Sequence, residues 1–255
     1  MAKQSLMTEV EWGSCSRVSL MLLELRRKDS PRKWSTRKAR LFSVACCRRV
    51  WHLLDSPDDR WAVEVAEEVA DKKMRLAGLR VSHEATSITD LGPNPGRLAL
   101  GLGWGYVSSW EWDFCYGLWV SPQGRRVCRL ARWASTPTPW GSPDATANDA
   151  RVLLSFRTGL DAAKAEEQAQ CGLLRDIVGP ASCPASQGAW LCNSGGTVRR
   201  LAEAIYEERT FDHLPILADA LEEAGCSDEA LLGHLRGPGP HVRGCWAVDL
   251  CLGKE

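Results

Sequence analysis

Cys226, His234, His241 and Cys245 fall within one short stretch, "CSDEALLGHLRGPGPHVRGCW", and thiolate and imidazole are the donors that hold zinc. His241 and Cys245 stand four apart, so on a helix both would face the same way. Cys226 follows one expected helix and His234 closes the next, so the chain can fold all four together. The tight Cys-x-x-Cys knuckle that gives zinc signatures their specificity occurs nowhere in the chain. The competing reading makes both thiols small buried apolar residues and sets both imidazoles at helix ends, where a positive charge is favourable. On sequence alone that packing reading is the better supported.

Two other groups could do chemistry. In "CCRR", Arg48 and Arg49 could lower a thiol pKa, but helical projection turns Cys46 and Cys47 toward a core. From Arg26 to Arg49 the chain carries ten Lys or Arg against the single acid Asp29. Within that run Arg32, Lys33, Arg37 and Lys38 could track a phosphate backbone while Trp34 stacks on a base. The alternative is a face neutralised by acidic stripes at Glu64 to Asp71 or Asp219 to Glu223 of the same chain. Because 32 basic and 32 acidic side chains cancel overall, that alternative is favoured. No dinucleotide or phosphate loop is present: "GLGWG" lacks the spacing and "GPGP" is turn punctuation. His213 beside Asp212 has no nucleophile placed by motif. No catalytic residue is assigned.

The elements that must position these residues read as mainly α. The structured chain is expected to begin at Met7, with residues 1–6 a tail. "RVSLMLLELRRK" reads as a short amphipathic helix, and a longer one runs from about Thr36 to Leu54. Its core arc carries Phe42, Cys46, Cys47 and Val50; Arg37, Lys38, Arg48, His52 and Asp55 lie opposite. Ser56 and Pro57 mark a helix start. The helix that follows turns Glu64, Glu67, Glu68 and Asp71 outward. Residues 81–150, rich in Gly, Pro and Trp, hold no helical period and read as an irregular insert or linker. Helical signal resumes at "GLDAAKAEEQAQCGLLRDIVG", ending at Gly179. In "FDHLPILADALEEAGC", Ile216, Leu217, Ala220, Leu221 and Ala224 are expected inward. Ser227 caps the next helix, and Pro240 opens a last one.

"ARLFSVACCRRVWHLL", "QCGLLRDIVG", "GGTVRRLAEAIYEERTFDHLPILADALEEAGC" and "GPGPHVRGCWAVDLCLGKE" resemble blocks of an expanded paralogous family of planctomycete bacteria. "PILADALEEAG" also resembles, less closely, a short repeat-companion domain of the same bacteria. The resemblance implies organisation only, with no activity, cofactor or catalytic residue. It also implies a middle rich in Ala, Trp and Arg in helical array, whereas residues 81–150 keep the tryptophans without the alanines. A reading-frame slip in a GC-rich gene would produce that change.

The expected architecture is an N-terminal helical unit at 7–80, the insert at 81–150, and a C-terminal helical unit at 151–255. With 11 cysteines, an odd number, and no export signal, reduced thiols are expected, and hence the cytoplasm. No apolar run approaches a membrane span. The expected role is a non-enzymatic helical module that meets a partner protein through helix faces. Nucleic-acid binding by the basic segment and zinc binding by the Cys/His cluster are the alternatives. Translation of the gene in its two other frames across residues 81–150 is expected to yield an uninterrupted Ala-rich helical stretch in one of them. If neither frame does, the slip is refuted.

Overall fold

The computed structural model describes residues 7–54, 56–75, 77–78, 131, 133–136, 142–181 and 195–254. Most of the expected insert at 81–150 lies outside the described residues, as do residues 1–6 and Asp55. Among the described residues the fold is mainly α, with no strand. The helices are α1 (Glu9–Ser14), α2 (Val18–Leu25), α3 (Thr36–Arg49), α4 (Pro57–Ala70), α5 (Ser142–Thr158), α6 (Leu160–Val178), α7 (Thr197–Glu208), α8 (Leu214–Glu223), α9 (Glu229–Leu235) and α10 (Trp246–Leu252). Helix α5 begins inside the stretch expected to be irregular. Gly159, at φ +95°, adopts the left-handed conformation that separates α5 from α6.

Residues 1–45 and 167–255 form one compact unit, and residues 46–166 form a second. In the first unit α1 starts at a capping box: the Glu11 N–H donates to Thr8 Oγ1, and the Thr8 N–H donates to Glu11 Oε2. Helix α2 buries Val18, Met21, Leu22 and Leu25, the spacing of one amphipathic face. Residues 38 to 47 are all buried, a wider surface than the single arc that periodicity predicts, and Lys38 is buried with them.

The four last helices pack α7 on α8 and α10, and α8 on α9. The buried stripe of α8 is Leu214, Leu217, Ala218 and Leu221, while Ile216 is 54 % exposed. The expected inward face was thus rotated. A 3₁₀ turn over Phe211–His213 delivers Leu214 into the core, and the i, i+3, i+4, i+7 series counted from Leu214 leaves Ile216 off the stripe. Helix α8 stops in a Schellman turn: Gly225 sits at φ +93°, its N–H donates to Glu222 O, and the Cys226 N–H donates to Leu221 O. Asp228, not Ser227, caps α9 by accepting from the Leu231 N–H.

One buried ion pair crosses this unit. Arg37 of α3 grips both oxygens of Asp249 on α10, with Nη2 3.0 Å from Oδ1 and 2.7 Å from the Tyr206 hydroxyl on α7. Burial raises the Asp249 carboxyl above its ordinary range, and the Arg37 guanidinium pulls it back only in part.

In the second unit Arg48 pairs with Glu67 and Arg49 with Glu166, each at 2.9 Å. Glu67, expected outward, is 3 % exposed, because a guanidinium from α3 meets it. Ser56 and Pro57 stand at the cap and first turn of α4 as expected, although the Ser56 side chain makes no capping bond.

Arg37→Met is expected to destabilise the protein by about 3–5 kcal/mol in urea titration, because it strands Asp249 uncompensated in the interior. Adding Asp249→Leu is expected to recover most of that loss. A single substitution costing under ~1 kcal/mol would show that the pair is not desolvated.

Candidate metal centre

Three of the four residues singled out by type and spacing do converge, and a fourth ligand comes from elsewhere. The donor atoms of Asp176, His234, His241 and Cys245 all lie within 4.8 Å of one another. Asp176 Oδ1 is 2.8 Å from His241 Nδ1 and 3.1 Å from His234 Nε2, and His234 Nε2 is 3.3 Å from Cys245 Sγ. Asp176 is 2 % exposed, Cys245 0 %, and the His234 and His241 side chains 21 % and 9 %.

Each ligand is placed by local structure. Helix α6 presents Gly172 and Asp176 one turn apart on one face, and Gly179, at φ +76°, follows its last residue. A Cβ on Gly172 would lie 3.0 Å from Pro240 Cδ, and one on Gly179 would lie 2.7 Å from Trp246 Cγ. The glycines let the 237–246 loop close down on α6 with Asp176 between them. His234 stands in the last turn of α9, its ring 5.1 Å from that of Trp246. His241 and Cys245 are not on a helix, and Pro240 opens none. Instead the chain turns so that the Cys245 N–H donates to Val242 O, Gly244 takes φ +91°, and α10 begins at Trp246 with Cys245 as its N-cap. The two side chains meet through a turn rather than through helical spacing.

Cys226 does not join them. Its place at the end of the Schellman turn points it into the apolar core, 5 % exposed, with Leu231, Leu235 and Cys251 in the same cluster. A small apolar contact at that position is a regular part of the motif. Sequence reasoning missed Asp176, although one signal was available. An acid in the last turn of a helix opposes the helix dipole, and here Leu173, Leu174, Ile177 and Val178 around it are all buried. A carboxylate so placed needs partners.

Without a metal those partners are hydrogen-bond donors. The Val242 N–H donates to Asp176 Oδ2 at 3.0 Å. His241 faces an acceptor on each side, Asp176 through Nδ1 and the Gly237 carbonyl through Nε2 at 3.2 Å, so the ring satisfies both only as an imidazolium. Burial works against that charge, but the hydrogen bond and charge of Asp176, with the Gly237 carbonyl, outweigh it and raise the His241 pKa above 6.5. Burial, reinforced by the Asp176 charge, pushes the Cys245 thiol well up, and the N–H groups of Val248 and Ala247 offset this in part. A bound cation would reverse both effects, because metal ligation takes the deprotonated thiolate and a neutral imidazole.

The donor set fits a four-coordinate transition metal. Zinc bonds of roughly 2.0–2.3 Å give a tetrahedral edge of about 3.3–3.7 Å, so the closest ligand atoms, 2.8 and 3.1 Å apart, must part by a few tenths of an ångström, while the set, which spans up to 4.8 Å, must draw in by about an ångström at its widest. One thiolate and two imidazoles disfavour magnesium and calcium, which take oxygen ligands.

The other candidate residues are placed differently. Arg32 is 4 % exposed, lies over the Trp12 ring, and reaches Glu9 at 3.0 Å and the Met7 carbonyl at 3.3 Å. Arg37 holds Asp249, and Lys38 Nζ donates to the Val178 carbonyl at 3.5 Å. Trp34 is half-buried, edge-on to Phe42 at 6.4 Å, and Lys33 is exposed. Most of the basic segment is therefore occupied within the protein. Of the acidic stripes expected to serve, Glu67 does so by pairing with Arg48. Cys46 and Cys47 are fully buried, with thiols raised by burial. His213 and Asp212 are exposed and 3.8 Å apart.

Fold and site together define a mainly α protein with a four-residue candidate metal centre in its first unit. No protein-family model, no curated protein and no solved structure matches the chain.

Proton and metal compete for this centre. In the metal-free protein the raised His241 pKa contributes stability below about 6.5, and that contribution is lost as pH rises through the raised value. Zinc binding is expected to strengthen over the same rise. Calorimetric titration in two buffers of different ionisation heat is expected to count about two protons released per zinc, from His241 Nδ1 and the Cys245 thiol. Zinc uptake with no proton release would contradict the assigned ligand atoms.

Proposed function

We propose that this is a non-enzymatic helical protein in which Asp176, His234, His241 and Cys245 hold one structural zinc ion. The observation that carries the reading is the convergence of four ligand atoms from α6, the end of α9 and the 237–245 loop within 4.8 Å. Four protein ligands complete a tetrahedron, which is the arrangement of structural zinc and leaves no position for the water or substrate that a catalytic site keeps open. All seven described cysteines are free thiols, which supports placing the protein in the reducing cytoplasm.

The role assigned to such a body is contact with a partner protein through helix faces. Leu20 and Leu23, about one turn apart on α2, and Ile216 on α8 are exposed and supply apolar side chains for such a contact.

Native mass spectrometry of the full chain after incubation with zinc and dialysis is expected to show the mass of one zinc per chain. Asp176→Asn and Cys245→Ser are expected to lose it, and Cys226→Ser to keep it. A bare chain mass would sink the metal reading. Loss of zinc in Cys226→Ser with retention in Asp176→Asn would reassign the ligands.

A further inference from the structure

The turn of α6 that carries Asp176 holds more than the candidate metal. Arg175, one residue earlier, donates from Nε to the Trp12 carbonyl at 3.1 Å and from Nη2 to the Cys15 carbonyl, and so grips the end of α1. Two residues after Asp176, the Val178 carbonyl accepts from Lys38 of α3. The Ala181 N–H, just beyond, donates to Glu9 Oε1 at 2.6 Å. The stretch from Glu9 to Lys38 is thus tied to α6 at the level of the site.

The same stretch is tied to α10. A Cβ on Gly244, next to the ligand Cys245, would lie 2.8 Å from Leu41 Cδ1, so α3 rests on the backbone there. Asp249, one turn beyond Cys245, is held by Arg37, and the Asp249 N–H donates to the Cys245 carbonyl at 2.8 Å. Helices α1 to α3 therefore straddle two elements, α6 and α10. Those two elements are joined directly by Asp176 with the 241–245 loop and by Trp246, which packs on Gly179 at the end of α6.

On the reading that this centre binds zinc, the geometry points to a clasp: metal occupancy controls whether the segment from α1 through the first half of α3 stays docked on α6 and α10. With the metal in place, α6 and α10 keep one spacing and every contact of the segment can form at once. With it gone, the Arg175 and Val178 contacts sit on one element and the Gly244 and Asp249 contacts on another, and the two are held by hydrogen bonds at Asp176 and by the packing of Pro240 and Trp246 on Gly172 and Gly179, without the bonds of a shared ion. The coupling is reciprocal, so docking of the segment also pre-organises the centre and tightens its hold on metal. Short helices such as α1 and α2 gain their stability from docking rather than from their own hydrogen bonds, so they are the part that reports it.

Hydrogen exchange of the full-length protein, zinc-loaded against chelator-treated, tests this. With free zinc at about a hundred times its Kd, an opening that requires metal loss becomes about a hundredfold rarer. Amides of α1, α2 and residues 36–45 are expected to slow by tens-fold or more, together with those of α10. Trp12→Ala, which removes a buried ring of the segment and touches no ligand, is expected to weaken zinc binding roughly tenfold. If zinc binds and protects α10 while α1 and α2 exchange at an unchanged rate, or if Trp12→Ala leaves zinc affinity untouched, the clasp is overturned and the metal site stands. If no zinc is taken up, both fall together.

Discussion

A carboxylate buried at the C-terminal end of a helix is opposed twice, by the low-dielectric interior and by the helix dipole. Asp176 is in that position, and much of the first unit is arranged around meeting its demand. Two imidazoles and the Val242 N–H converge on its two oxygens, and they come from an end of α9 and a loop whose neighbours Pro240 and Trp246 also pack on the end of α6. Gly172 on α6 and Gly179 just beyond it leave room for that approach. A cation at the centre would meet the same demand more fully, because it satisfies the carboxylate and both imidazoles and turns the buried thiol beside them into a ligand.

The positive charges near the start of the chain follow a related logic. Arg37 is half-buried and paired with Asp249, while Arg32 is buried against Trp12 and Glu9, and Lys38 against the Val178 carbonyl that ends α6. A lysine at a helix C-terminus is favourable on dipole grounds, and a buried guanidinium needs the planar, multiply bonded partners that a carboxylate and a tyrosine hydroxyl provide. The basic run that reads as a surface for phosphates is in large part a set of internal ties. Pairing of this kind contributes less to stability than apolar packing of equal volume would, but removal of one partner is costly, so the docked position of α3 in its unit is well specified.

How far the site was legible can be judged residue by residue. His234, His241 and Cys245 were recognisable from type and nearness in sequence, although the reason they meet is a turn closed by Gly244 and not a helical i, i+4 face. Cys226 looked equivalent to Cys245 because both are cysteines beside helix ends. Only the Schellman geometry, which turns the residue after Gly225 into the core, separates them. Asp176 lies 58 residues from His234, and no local pattern connects them. The reversed dipole preference was its one visible mark.

Local periodicity determined the helical class of this protein, the stop at Gly179, the start at Pro57, and the inward facing of Cys46, Cys47 and Leu217. Those features depend on residues within a turn or two of each other, where the 3.6-residue repeat and the backbone preferences of Gly and Pro act directly. The tertiary structure decided the rest: that α1, α2 and α3 as far as Ala45 belong in one unit with residues 167–255, that Glu67 turns inward to meet a guanidinium of α3 and Lys38 to meet the Val178 carbonyl, and that Ile216 stays outside. Each of these turns on which surfaces meet across long loops. Closure entropy grows only slowly with loop length, so chain separation alone does not say which distant partner will be chosen.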